Sequence, residues 1–339
     1  MSGVGSAGAA PRLKVLTWHV HGNYLHYLSH APHDFFLVTL PGHPPGHAGR
    51  VGALPWRGNV HEVPAADLAR HRFDCVLYQS RTHWDQDRHE WLSAEQRALP
   101  AVYLEHDPPQ QHPTATRHPA AGSGAHIVQV THFNALMWDA AGTPTTVIEH
   151  GVVLPDPALR WTGERPEGIV VVNNLERRGR RLGADLFQQC ARQVPLTLTG
   201  MGSETLGGIG ETPNPALPAL MAQYRFYFHP VRYTSLGLAL IEAMMLGMPI
   251  VGLATTELPS VIQDGVNGCV DTRVERLVQA MRALIDDAAL AQRWGRAARE
   301  TALARFGIQR FAADWDRLLR QVCGLPIDAA AAAATAAPG

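Results

Sequence analysis

Thr234-Ser-Leu-Gly-Leu-Ala-Leu-Ile-Glu-Ala-Met-Met-Leu-Gly-Met-Pro-Ile-Val-Gly252 compresses a polar loop, a glycine turn, an amphipathic helix and a buried strand into one short run. Gly237 opens the helix, Glu242 lies within its first turns, Gly247 closes it, and Pro249-Ile250-Val251 starts the strand. The stretch reads as a ligand-binding βα unit. A carboxylate near a helix N-terminus beside a loop is a place to bind hydroxyls and phosphate.

Outward from this unit, short apolar runs alternate with polar, helix-compatible segments. In the first half, strands are expected at 13–18, 35–40, 75–79, 101–104, 127–130 and 146–148. In the second half they are expected at 169–173, 196–199, 226–228, 249–251 and 268–270. Continuous apolar runs of this length belong to parallel strands buried on both faces, so the class is α/β. Helices are expected at 183–193, 215–223, 238–246, 274–286 and 289–305. Phe311, Trp315, Leu318, Leu319 and Val322 recur at spacings of three and four, an amphipathic terminal helix over 308–323 that crosses back to the first domain.

At 339 residues the chain exceeds the roughly 250–300 at which a single core usually splits. The expected organisation is a flexible N-terminus at 1–11, a first domain at 12–155 and a proline-rich linker at 156–167. A second domain at 168–307, the terminal helix and a disordered alanine-rich tail at 324–339 follow. With 46% hydrophobic and 17% charged residues the composition is globular rather than disordered. A formal net charge of −1 supplies no electrostatic footprint for nucleic acid. Cys75, Cys190, Cys269 and Cys323 are far apart and form no CxxC pair, which fits a reducing cytoplasm and no zinc knuckle. No apolar run approaches the ~18 residues of a membrane span or follows a basic segment as in a signal peptide, so membrane contact is at most peripheral.

The order of short motifs adds to this reading. Glu149-His-Gly-Val152 ends the first domain, a strand followed by arginines opens the second, and Thr199-Gly-Met-Gly-Ser203 follows another strand. Phe228-His-Pro230, the segment 237–249 and Ser260-Val-Ile-Gln-Asp-Gly-Val-Asn-Gly268 complete the series. This series resembles the retaining GT-B glycosyltransferases of family 4, the glycosyl transferases group 1, over residues 13–320. The resemblance implies two Rossmann-like domains facing across a cleft, the first for an acceptor and the second for a nucleoside-diphosphate sugar. It implies transfer of a hexose to a hydroxyl acceptor with retention of configuration, in surface polysaccharide or glycolipid synthesis. The nucleotide sugar is then a substrate, and neither a cofactor nor a metal is expected.

The resemblance also implies roles. Glu242 matches the second glutamate of a Glu-x7-Glu motif, which holds ribose hydroxyls by charge-assisted hydrogen bonds. Thr234 stands where the first glutamate would be, beside the donor sugar, and carries no charge. Backbone amides of Ser235, Leu236, Gly237 and Leu238 offer a phosphate site. Within the cluster Arg177, Arg178, Arg180 and Arg181, the residues Arg177 and Arg181 match the diphosphate clamp, where fixed cations stabilise a leaving group that gains charge. His106 matches the strand-end histidine that contacts the transferred sugar, Gly22 and Asn23 the loop after the first strand, and Gly202 the turn beside the donor. Each has a plainer alternative: a solvated carboxylate for Glu242, a solvated charge run for the arginines, and structural packing for His106 and Gly22.

Other signals carry less. His19 and His21 form an HxH pair without a third ligand at matching spacing. Asp85-Gln-Asp87 lies in a charged segment with no preceding strand and reads as a solvated face. Leu206-Gly-Gly-Ile-Gly210 lacks the GK[ST] ending of a phosphate loop and reads as a flexible connection over the cleft. Ser203 and Ser260 have no nucleophile elbow around them. Two further functions stay open: a non-catalytic GT-B protein that binds a sugar nucleotide or a partner transferase, supported by Thr234, and a sugar-nucleotide epimerase, for which acid/base groups are missing.

Overall fold

The computed structural model describes residues 11–20, 22–51, 54–154 and 156–327. The expectations for residues 1–10, His21 and the alanine-rich tail from 328 lie outside them. Among the described residues, seven strands occupy the first half: β1 (Lys14–Thr17), β2 (Asp34–Thr39), β3 (Val60–Pro64), β4 (Cys75–Tyr78), β5 (Ala101–Glu105), β6 (His126–Gln129) and β7 (Thr145–Val147). They form one parallel sheet in the order β3-β2-β1-β4-β5-β6-β7. Five more, β8 (Arg165–Val171), β9 (Leu196–Thr199), β10 (Tyr224–His229), β11 (Ile250–Leu253) and β12 (Gly268–Asp271), form a second parallel sheet in the order β12-β11-β10-β8-β9. The direction of winding reverses between β1 and β4 and again between β8 and β10. Crevices beyond the carboxyl ends of strands at such reversals are where open α/β sheets bind ligands.

Three departures from the sequence reading have local causes. β3 is an edge strand whose Val-His-Glu-Val-Pro sequence buries only Val60 and Val63, so it shows no apolar run. β8 begins at Arg165, inside the stretch read as linker, because the ladder to β10 outruns the apolar residues. There the Arg165 guanidinium lies over the Tyr224 ring and donates to its hydroxyl at 2.7 Å. The arginine cluster is itself a helix, Leu175–Leu182, broken at Gly179, whose φ of 57° with ψ of −142° lies outside helical space. Only Leu175 and Leu182 of that segment are buried, so no apolar stripe marks it.

The helix Leu238–Leu246 follows the boundaries read from sequence, with Gly247 capping its C-terminus in left-handed conformation. It is buried on every side from Leu240 to Leu246 rather than amphipathic. The core divides into three apolar clusters: one on the outer face of each sheet, and one that runs between the domains. The interdomain cluster collects Val15, Tyr24 and Val128 of the first domain, Ile241 and Met244 of the second, and Phe311 and Trp315 of the terminal helix Ile308–Val322. That helix lies against the helix Gly22–Leu28, where the Trp315 indole N–H donates to the Tyr24 hydroxyl at 3.2 Å. At the hinge, Arg305 forks onto Glu149 and Arg310 donates to the carbonyls of Glu149 and His150. Gly151 faces Phe311 so closely that a Cβ would stand 2.1 Å from the Phe311 Cβ, leaving room for glycine alone. None of the described helices is long and apolar enough to cross a membrane.

Buried histidines tie this fold to pH. Burial holds His33 at about 4, although its Nε2 lies 3.1 Å from Asp316, and holds His83 at about 3 and His229 at about 4. Below about 6.5 the unfolded chain takes up protons that the native state refuses until about pH 4, so stability falls as pH drops through that window. Thermal melts at pH 7 and pH 5 should differ by about 1–2 kcal/mol for each such histidine. A melting temperature that is flat over this range would show that these rings reach solvent.

Candidate functional site

The loop between β10 and the helix Leu238–Leu246 closes one side of the cleft. Gly237 is the residue before the helix and makes no side-chain cap, so the N–H groups of the first turn receive no side-chain oxygen from it. Leu236 is 3% exposed and its carbonyl accepts from His150 Nε2 at 2.9 Å. Its side chain is therefore core, and only its backbone can serve a ligand. Ser235, Gly237 and Leu238 are partly buried beside it.

Glu242, one turn along, is 4% exposed and not the solvated carboxylate of the plainer reading. Its Oε1 accepts from the Tyr27 hydroxyl at 2.8 Å and from Asn23 Nδ2 at 3.3 Å. Burial raises its pKa and these two donors lower it. Gly22 and Asn23 are not in a loop: both lie in the helix Gly22–Leu28. Asn23 thus brings the first domain to Glu242. The two residues line a cavity of about 300 Å³ with Gly200, Met201, Thr212 and Asn214. They also line a second cavity of about 560 Å³ toward the hinge, with Arg57, Val153 and Pro218. Gly202 is exposed and lies against Asn174, outside the cavity that its neighbours Gly200 and Met201 line.

His106 follows β5, with Nε2 3.2 Å from Gln79 Oε1 and its ring edge-on to Tyr24 at 4.9 Å. Tyr24 also meets His150 at 5.6 Å, so one aromatic relay joins the end of β5 to the hinge and the 234–237 loop. Beside His106, Asp107 crosses the cleft: its Oδ1 accepts the Thr234 hydroxyl at 3.1 Å. The arginine helix stands next to this contact. The carbonyl of Arg181 accepts the N–H groups of both Arg232 and Tyr233, which ties that helix to the loop leading into Thr234. Arg177 is exposed, whereas Arg178 is partly buried and close enough to feel the Asp107 carboxylate. Arg180 and Arg232 share Asp185, with Arg232 holding that carboxyl below its ordinary value.

The remaining signals resolve into structure. His19 turns its Nδ1 to the Gly49 carbonyl. Asp85 pairs with Arg81 at the surface, but Asp87 is 4% exposed and bonded to His47 at 2.9 Å, so the solvated reading fails for that residue. The glycine-rich 206–210 segment is tied to the end of β9, with Gly210 accepting from Gly200 N–H and the Thr199 hydroxyl.

The arrangement places an uncapped helix start, a carboxylate, arginines and a small cavity at the carboxyl ends of β8 to β10, opposite the ends of β1 and β5. Residues 203–301 match the model of the family described as glycosyl transferases group 1. The chain has the GT-B fold, and its second domain matches the group 1 glycosyltransferases. The same GT-B architecture is found in sucrose-phosphate synthase from Thermosynechococcus elongatus, at 18% identity and a TM-score of 0.68 over 92% of this chain and 100% of that one. HepE from Anabaena, solved in complex with UDP and glucose, aligns at 16% identity and TM-score 0.68 over 91% of this chain and 100% of that one. A glycosyltransferase from Rickettsia africae aligns at 12% and 0.66, covering 92% and 99%. No curated protein sequence matches significantly.

Within this GT-B cleft, sequence reasoning missed the parts of Asp107 and Tyr27, and it named Arg178 only as one of the arginine cluster. Tyr27 carries no local signal, because its partner Glu242 is 215 residues away. Asp107 stands beside a residue that was singled out, and only the packing of the domains shows what it faces.

Proposed function

We propose that this protein transfers a hexose from a nucleoside-diphosphate sugar to a hydroxyl acceptor, with retention of configuration and without a metal, in the cytoplasm. The observation that carries the reading is Glu242: a buried carboxylate on the first helix beyond the β10 loop, facing a cavity of nucleoside size at the winding reversal. Its Oε1 is taken by Tyr27 and Asn23, so Oε2 is the oxygen that ribose hydroxyls would meet. The uncapped amides at 235–238 would receive the diphosphate, with Arg177, Arg178 and Arg181 alongside to stabilise the charge that grows as it leaves. The departing diphosphate oxygen would accept the acceptor's proton, so the protein works by orientation and charge stabilisation. His106 would meet the transferred sugar. The complexes of HepE with UDP and with glucose lend this donor class support by likeness of fold. A surface polysaccharide or glycolipid precursor remains the acceptor class proposed.

Calorimetric titration with UDP, GDP, ADP and their hexose conjugates, with and without EDTA, tests this. Selective binding of one nucleotide sugar, unaffected by EDTA, is expected. Binding that EDTA abolishes would remove the metal-independent mechanism. No binding at all would favour the second reading, a GT-B protein that binds a partner transferase and regulates it, for which the uncharged Thr234 is the specific observation.

A further inference from the structure

We propose that Asp107 supplies, from the first domain, the carboxylate that engages the donor sugar's hydroxyls, and that it does so only while the two domains are closed. The inference rests on the glycosyl-transfer reading above. A pyranose presents several O–H donors, and an ionised carboxylate binds such donors about twice as strongly as a neutral oxygen. The loop Thr234 to Gly237 offers hydroxyls and amides but no carboxylate of its own.

Three acidic side chains of the cleft are engaged with protein partners. Glu242 accepts from Tyr27 and Asn23, Asp185 holds Arg180 and Arg232, and Glu105 accepts the Asp107 N–H while facing His118. Asp107 instead spends Oδ1 on the neutral Thr234 hydroxyl across the domain gap at 3.1 Å. A sugar hydroxyl can replace such a partner at little cost, since one neutral donor is exchanged for another.

The group is also held in place. The Asp107 N–H is fixed by Glu105 and its carbonyl by the Trp138 indole at 2.9 Å, a rigid frame at a strand end beside His106. Arg178 lies within electrostatic reach of the Asp107 carboxylate. Because Asp107 and Thr234 belong to different sheets, opening the cleft separates the carboxylate from the second domain. The site is then completed by closure.

The test uses the purified full chain with UDP-glucose, GDP-mannose and ADP-glucose, reading nucleoside-diphosphate release with water replacing the acceptor, and nucleotide affinity by calorimetry. Asp107→Asn keeps an oxygen to accept the Thr234 hydroxyl, so a merely structural role would leave it unharmed. The expected result is release slowed about 10- to 100-fold with nucleotide affinity within about threefold of the parent. Release within about twofold of the parent overturns the proposal and leaves the transfer reading standing. A parent protein that neither binds nor turns over any of the three overturns both. Where Asp107→Asn fails to fold, the exchange Asp107→Thr with Thr234→Asp carries the test. Recovery to within about tenfold of the parent supports a carboxylate requirement at this point of the cleft, and no recovery overturns it.

Discussion

Glu242→Ala is expected to weaken nucleotide binding by about 1.5–3 kcal/mol, the worth of hydrogen bonds to a charged group. The same change leaves the Tyr27 hydroxyl, buried behind it, without its acceptor. An orphaned buried donor costs about 1–3 kcal/mol, so the melting temperature should fall as well. Glu242→Gln separates the two effects, because an amide oxygen still accepts from Tyr27 while the charge is gone. Calorimetry on both variants checks this. Nucleotide affinity unchanged in a folded Glu242→Ala protein would remove the residue from the donor site and leave it as an interdomain fastener.

Trp315→Ala should be the most damaging single change to stability. The indole is fully buried, packs near Phe311 and donates to Tyr24 on the neighbouring helix. Truncating a buried aromatic to alanine costs about 3–5 kcal/mol. Urea unfolding should show the midpoint moved by that free energy. Trp315→Phe should recover most of it, losing mainly the hydrogen bond to Tyr24. A shift below about 1 kcal/mol for the alanine variant would mean that the terminal helix is not docked on the first domain.

The fold was largely legible in the sequence because β-strands buried on both faces announce themselves as apolar runs. Most expected strands and the helices 238–246 and 274–286 fall where the apolar pattern puts them. What escaped was structure held by contacts rather than composition. β3 lies at an edge and is half polar, and the arginine helix buries only its two end leucines around a broken turn. The site divides the same way. Glu242 and His106 could be picked out from motif order, since their neighbours repeat a known pattern. Tyr27, Asp107 and Arg178 acquire meaning only when two domains separated by a hinge are brought face to face. Thr234 illustrates both sides: the missing charge is plain in the sequence, but the carboxylate opposite it is not.

The docking of the terminal helix sets a timetable for synthesis. The first domain's sheet is complete in sequence at Val147, yet Phe311 and Trp315, which cover Tyr24 from the terminal helix, come far later in the chain. At ribosomal speeds of about 5–20 residues per second, the intervening chain takes on the order of ten seconds or more to appear. Throughout that interval an apolar face that is buried in the finished molecule stays open to the cell. A nascent first domain of this kind is a natural client for chaperones, and a chain cut short before residue 308 is a natural candidate for aggregation rather than for partial activity.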